Sequence, residues 1–220
     1  RVTLPPGPRP PASLKRLADG RYVHEKLEKE GAPLYFVVIE PGEFTFGASN
    51  NDIRRGELPL RPAAKIAKPY LISTTEVSVK QYAVFAAAEG DGKAGTAWKP
   101  ANNDEAAGQL PVTKVSFQHA MNFAAFVDGV LPTELQWERA ARGTEGRKYP
   151  WAEGGEPTDK LCNLNFGKVG GLVAVDALTD GATPDGILNM LGNAAEWCED
   201  KYKLGHEEDA NTPGFNDYPV

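Results

Sequence analysis

The chain has 220 residues, 41% of them hydrophobic and 25% charged, which fits one soluble globular domain. Its net charge of -6 argues against nucleic acid and anionic membranes as partners, because both need clustered Lys and Arg. No stretch approaches the roughly 18 apolar residues of a membrane span.

Residues 1 to 12 carry Pro5, Pro6, Pro8, Pro10 and Pro11 and read as an extended tether. Residues 13 to 31 are charged and predict a short surface helix ending at Gly31. Residues 1 to 33 are therefore expected to be a tether and residues 34 to 220 the folded domain. The chain begins at Arg1, so its start says nothing about targeting. Strands are expected over roughly 34 to 47 and 67 to 73. A helix follows from Ser78. Ser78 and Gln81 form a capping box, and Tyr82, Phe85 and Ala86 share one face. Residues 89 to 110 are rich in Gly, Asn and Ala and read as a loop. A second helix starts at Ser116, with Ala120, Phe123, Ala124 and Val127 as its buried stripe.

The segment from Leu131 to Gly143 predicts a third helix with both ends marked. Thr133 is an N-cap, Gln136 completes its box, and Gly143 is the stop. Trp137, Ala140 and Ala141 lie on one face. From Glu145 to Asp185 the chain reads mostly as loops.

The run Gly192-Asn193-Ala194-Ala195-Glu196-Trp197 suits neither helix nor strand. Gly and Asn favour backbone angles that turn carbonyl oxygens inward. Carbonyls, an amide and a carboxylate are the hard oxygen donors calcium prefers. A tight turn around a buried Trp is the alternative. Cys162 and Cys198 allow a disulfide, two free thiols or half of a metal site. His24, His119 and His206 show no metal-ligand spacing, and His119 falls in the first turn of the second helix.

Together these motifs resemble the formylglycine-generating-enzyme, or sulfatase-modifying-factor, family. Ile39 to Gly47 is similar to its opening strand, and Pro69 to Ser78 to its "F-x-I-S-x-x-E-V-T" segment. Gln81, Tyr82 and Phe85 match "Q-Y-x-x-F". Pro111 to Phe117 matches "P-V-x-x-V-S-W", and Tyr149-Pro150-Trp151 matches "Y-P-W-G". The resemblance runs in order over about residues 35 to 203. It implies an α+β, loop-rich, C-type-lectin-like fold with few short helices and strands.

The resemblance also implies structural calcium. One site would use the Asn189 side chain, the Gly192 and Ala194 carbonyls, and Glu196. A second would begin at Asn163 and Leu164. That site should continue with an aspartate, but Phe166 to Gly171 has no acid and carries Lys168. Active members use two C-terminal cysteines that bind copper(I) and oxidise a substrate cysteine to formylglycine; thiolates suit this soft ion. Those cysteines follow an "R-G-G-S" strand. Here residues 201 to 220 contain no such strand, and neither Cys162 nor Cys198 matches the catalytic pair.

The expectation is a non-catalytic module that binds a protein or small ligand in an accessory, regulatory or display role. The alternative is a copper-dependent oxidase whose cysteines lie outside the chain shown. Missing final strands would leave a sheet edge open. Three readings follow: a chain that stops short, a partner chain that completes the sheet, or a sheet that closes differently. Family relatives and calcium loops favour a periplasmic or extracellular setting, and a bacterial source is expected.

Overall fold

The computed structural model describes residues 10–47, 61–95, 108–152, 155–164 and 171–201. A four-stranded antiparallel sheet has the order β1-β2-β3-β6. Its strands are β1 (Leu14–Arg16), β2 (Tyr22–His24), β3 (Tyr35–Ile39) and β6 (Tyr70–Ser73). Between β3 and β6 the chain leaves the sheet and builds a ribbon from β4 (Gly42–Phe46) and β5 (Arg61–Ile66). The ribbon is irregular between Phe44 and Phe46. The strand region expected over roughly 34 to 47 is thus two strands, divided at Glu40-Pro41 and placed in different sheets. Pro41 cannot donate to a ladder, which ends β3 there.

Residues 14 to 33, expected as part of the tether, are built into the domain. β1 and β2 pair in register from Leu14 opposite His24 to Arg16 opposite Tyr22. Val23 and Leu27 have no exposed surface. The charges that suggested a surface segment sit around one deeply anchored leucine on α1 (Glu25–Lys29). Residues 1 to 9 lie outside the described residues.

Local capping fixes the longer helices. α2 (Val79–Glu89) starts at Ser78, whose hydroxyl accepts from Gln81 N–H while the Gln81 amide oxygen accepts from Ser78 N–H. α3 (Asp91–Ala94) adds one turn within the expected 89–110 loop. α4 (Phe117–Phe126) is capped by Ser116. α5 (Glu134–Arg142) has the Thr133/Gln136 box and ends at Gly143, at a positive φ of 68°.

Two apolar clusters result. Leu27, Leu34, Tyr82, Phe85, Ala94, Phe123 and Val127 join α1, α2 and α4. Phe123 stacks on Tyr82 at 5.8 Å and meets Phe85 edge-on at 5.7 Å, arrangements aromatic quadrupoles favour. The other cluster seats Ala140 and Ala141 of α5 against Phe44, Phe46, Ile66 and Tyr70, with Ile187 and Met190 from the C-terminal loops. Among the described residues no helix is long and apolar enough to cross a membrane.

Candidate functional site

The site forms where the 187–200 loop meets β6 and the start of α5. Leu188 N–H donates to Thr74 O, anchoring the loop just past the end of β6. Asn189 and Asn193 both adopt left-handed backbone angles, with φ of 55° and 60°. Between them Gly192 has φ 91°, and a Cβ there would lie 2.4 Å from the Asn163 carbonyl oxygen. Only glycine combines that angle with that approach.

Glu76 is the centre of this loop. It is 7% exposed, and its Oε2 accepts from Asn189 Nδ2 at 2.9 Å and from Asn193 Nδ2 at 3.2 Å. The backbone N–H of Ala194 is a further donor to this carboxylate. Burial pushes the Glu76 carboxyl up to about 7, reinforced by the nearby Glu196 charge and opposed by the asparagine donors. Glu76 Oε1 and Asn189 Oδ1 are both buried without a hydrogen-bond partner. Buried acceptors of this kind are uncommon and costly.

The loop also gathers the sequence around Cys162. Asn193 N–H donates to Asn163 O at 2.9 Å, and Asn163 Nδ2 donates to Asn193 Oδ1 at 3.1 Å and to Gly171 O. Asn193 further bonds both backbone groups of Val173. The two segments expected as separate ion sites therefore meet through Asn163 and Asn193. Leu164 is exposed. Residues 165–170, expected to continue the second site, lie outside the described residues.

Beyond Ala195 the chain is stapled to α5. Trp137 Nε1 donates to Glu196 Oε2 at 3.0 Å, Asp200 Oδ2 accepts from Glu134 N–H, and Glu199 N–H donates to Pro132 O. Asp200 thereby places a carboxylate at a helix N-terminus, where the dipole favours it. Burial raises the Glu196 carboxyl. Its residue nonetheless has accessible surface, because the side chain is crowded by protein while bordering a concavity.

Cys162 and Cys198 are free thiols, so the disulfide left open by the sequence does not form. Burial raises the Cys162 thiol. Burial, with the Asp200, Glu196 and Glu134 charges, pushes Cys198 up to about 12. Both shifts favour the protonated thiol over the thiolate in the metal-free protein.

The donors fit a hard cation better than a soft one. Asn189 Oδ1 is an unclaimed buried oxygen, and Glu196 keeps one oxygen beyond its bond to Trp137. Among the described residues no three His, Cys, Asp or Glu side chains converge, so carbonyl oxygens would have to supply the rest of any shell.

A cavity of about 210 Å³ opens beside this loop, between β6, α2 and α4. Phe36, Ile72, Val112, Phe123, Val127 and Met190 supply apolar wall. Trp197, 48% exposed, and Val130, 38% exposed, also line it. The Trp197 indole N–H donates to Val115 O and its ring packs edge-on against Phe117, so it is held in place although exposed. Sequence reasoning missed this cavity and the role of Glu76, whose loop partners lie 113 and 117 residues away. The nearest signal was an acid set just before the Ser78 cap.

The sulfatase-modifying factor enzyme 1-like domain profile matches residues 23–214. The chain belongs to this family. It is 28% identical to the formylglycine-generating enzyme of Thermomonospora curvata over 74% of this chain and 70% of that protein. It is 26% identical to YfmG of Bacillus subtilis over 81% of this chain but only 43% of YfmG, so it spans less than half of that relative. Among solved structures PvdO from Pseudomonas aeruginosa has a TM-score of 0.61 at 21% identity, covering 90% of this chain and 77% of PvdO. That likeness concerns the fold, which is the α+β, loop-rich, C-type-lectin-like arrangement of the family.

Proposed function

We propose that this domain is a non-catalytic binding module that takes a ligand in the concavity beside the 187–200 loop. The observation that carries this reading is the open apolar cavity with Trp197 fixed at its wall. Concave, mostly apolar sites with a few polar groups are where proteins hold ligands. Loops on a rigid scaffold commonly carry binding residues. Among the described residues β6 is an edge of the four-stranded sheet, so a partner chain could add a strand there.

We further propose that calcium orders the loop through Asn189, the Gly192 and Ala194 carbonyls, and Glu196. The unclaimed Asn189 Oδ1 supports this. Extracytoplasmic surroundings, where calcium is abundant, suit such a role. Elemental analysis of the native protein, before and after chelation, tests it. About one calcium per chain is expected, and its absence would reduce the loop to a metal-free turn.

The alternative is a copper-dependent oxidase that converts a substrate cysteine to formylglycine. The likeness to the Thermomonospora curvata enzyme favours it. The native protein, loaded with copper(I) and given oxygen and a cysteine-containing peptide, separates the two. Aldehyde detected with a hydrazide probe would overturn the binding-module reading; no aldehyde is expected.

A further inference from the structure

The outer edge of β6 lies open along the cavity. Thr74 N–H donates to Tyr35 O, and Ile72 and Tyr70 stand opposite Val37 and Ile39. Antiparallel pairing alternates, so these residues turn their backbone groups to β3, while Leu71 and Ser73 turn theirs the other way. Leu71 and Ser73 line the cavity and are partly exposed. Among the described residues nothing bonds their outward N–H and C=O groups. Open backbone groups beside an apolar wall are a template for another strand.

The two apolar clusters flank this edge. Tyr70 and Ile72 belong with Ile187 and Met190, whereas Phe36 belongs with Phe123 and Val127. Side chains of a strand alternate between faces, so a segment laid against β6 sends them into both clusters in turn. Such a segment is apolar on both faces. A cavity of about 150 Å³ holds benzene, and the 210 Å³ here has room for branched aliphatic side chains. Charge narrows the class further. No Lys, Arg or His lines the cavity among the described residues. Of the acids that do, Glu76 is enclosed and Glu196 is the proposed calcium ligand. Asp128, exposed just past α4, is the charge left for a partner to meet.

From this geometry we infer that the β6 edge takes an extended polypeptide segment of a partner protein. The segment hydrogen-bonds Leu71 and Ser73, is apolar opposite Leu71 to Ser73, and carries a flanking lysine or arginine for Asp128. This inference rests on the binding-module reading and adds the class of its partner.

Calorimetric titration of the native protein in calcium-containing buffer tests it with the peptide acetyl-Lys-Thr-Val-Ile-Val-Thr-Lys-amide. Two derivatives carry N-methyl groups on alternate residues, in the two possible phases. Only one phase blocks the N–H groups that face β6. That one should bind about tenfold more weakly than the parent peptide, and the other should match it. Ser73→Pro removes an outward N–H and no bond to β3, a change that edge strands tolerate. It should weaken the parent peptide by about tenfold and leave the melting temperature near that of the unsubstituted protein. Asp128 has φ 57°, a backbone angle that asparagine accepts. Asp128→Asn should therefore bring the parent peptide down to the affinity of a Gln-flanked version without other change. Equal behaviour of the two methylated phases would overturn the strand inference. So would a protein that binds no parent peptide, whether its own chain or a second copy holds the edge. The uncharged dye Nile red then separates the readings. Blue-shifted emission would leave the binding-module reading standing, and unchanged emission would overturn both.

Discussion

The Trp137 indole and the Glu196 carboxylate are joined by a 3.0 Å hydrogen bond that spans 59 residues of sequence. Each belongs to a segment recognisable in the sequence by itself: Trp137 to the capped helix after Thr133, Glu196 to the Gly192-Asn193 turn. Their bond locks the loop to the helix. It also leaves Glu196 with one claimed oxygen in a setting that raises its pKa.

Trp137→Phe should therefore destabilise the domain by about 1–2 kcal/mol, because it leaves a crowded carboxylate without its donor. Glu196→Gln should cost less, since an amide oxygen still accepts from the indole. Urea denaturation of both variants and the double variant checks this. Additive effects would show that the bond is not an energetic link.

Glu76 is a larger keystone. Removing its acceptors in Glu76→Ala strands the side-chain donors of Asn189 and Asn193, and a loss of about 3 kcal/mol is expected. Glu76→Gln keeps one acceptor oxygen for them and should lose clearly less. Thermal unfolding of the two variants side by side decides the matter. Equal losses would place the stabilisation in packing instead.

Gly192→Ala puts a Cβ 2.4 Å from the Asn163 oxygen at a φ of 91°. The Asn193 N–H bond to Asn163 must then lengthen. A cost of about 2 kcal/mol or more is expected, together with faster amide exchange at Asn193. Unchanged exchange there would show that the two segments are not held by this approach.

A pH dependence follows from His24, which caps α1 by accepting from Leu27 N–H through Nδ1. Burial lowers its pKa, with Lys26 adding to the effect and Asp128 and Glu25 opposing it. A base whose folded pKa is depressed stays neutral when folded while the unfolded chain takes up the proton. Its contribution is therefore complete above the unfolded value of about 6.5 and is lost as pH falls from there towards the folded value. His24→Asn keeps a cap acceptor and removes the titration. Denaturation midpoints from pH 7 to 5 should slope less in the variant than in the parent. Parallel slopes would assign the pH dependence to other groups.

What the sequence revealed follows the range of the interactions. The Ser78/Gln81 and Thr133/Gln136 boxes act over three residues, so the starts of α2 and α5 were legible. The family motifs led to the fold for the same reason: each is a local pattern. β1 and β2 were hidden because they are only three residues long and lie among charges, with burial supplied by partners elsewhere. β5 carries Pro62 and two alanines, a composition that reads as loop. Asn189 and Glu196 could be named from their turn. Glu76 could not be joined to them, because nothing local distinguishes a clamp from an exposed acid.

The separations of 59, 113 and 117 residues that hold the 187–200 loop also set when it can form. Contacts so distant along the chain bear a heavy loop-closure entropy and reward folding only after the sheet and helices are in place. The 187–200 loop is thus a late-maturing part of the molecule. A ligand of the proposed site would meet a finished domain, because a half-folded chain has nothing to offer it. Occupancy of the site would report that folding has run to its end.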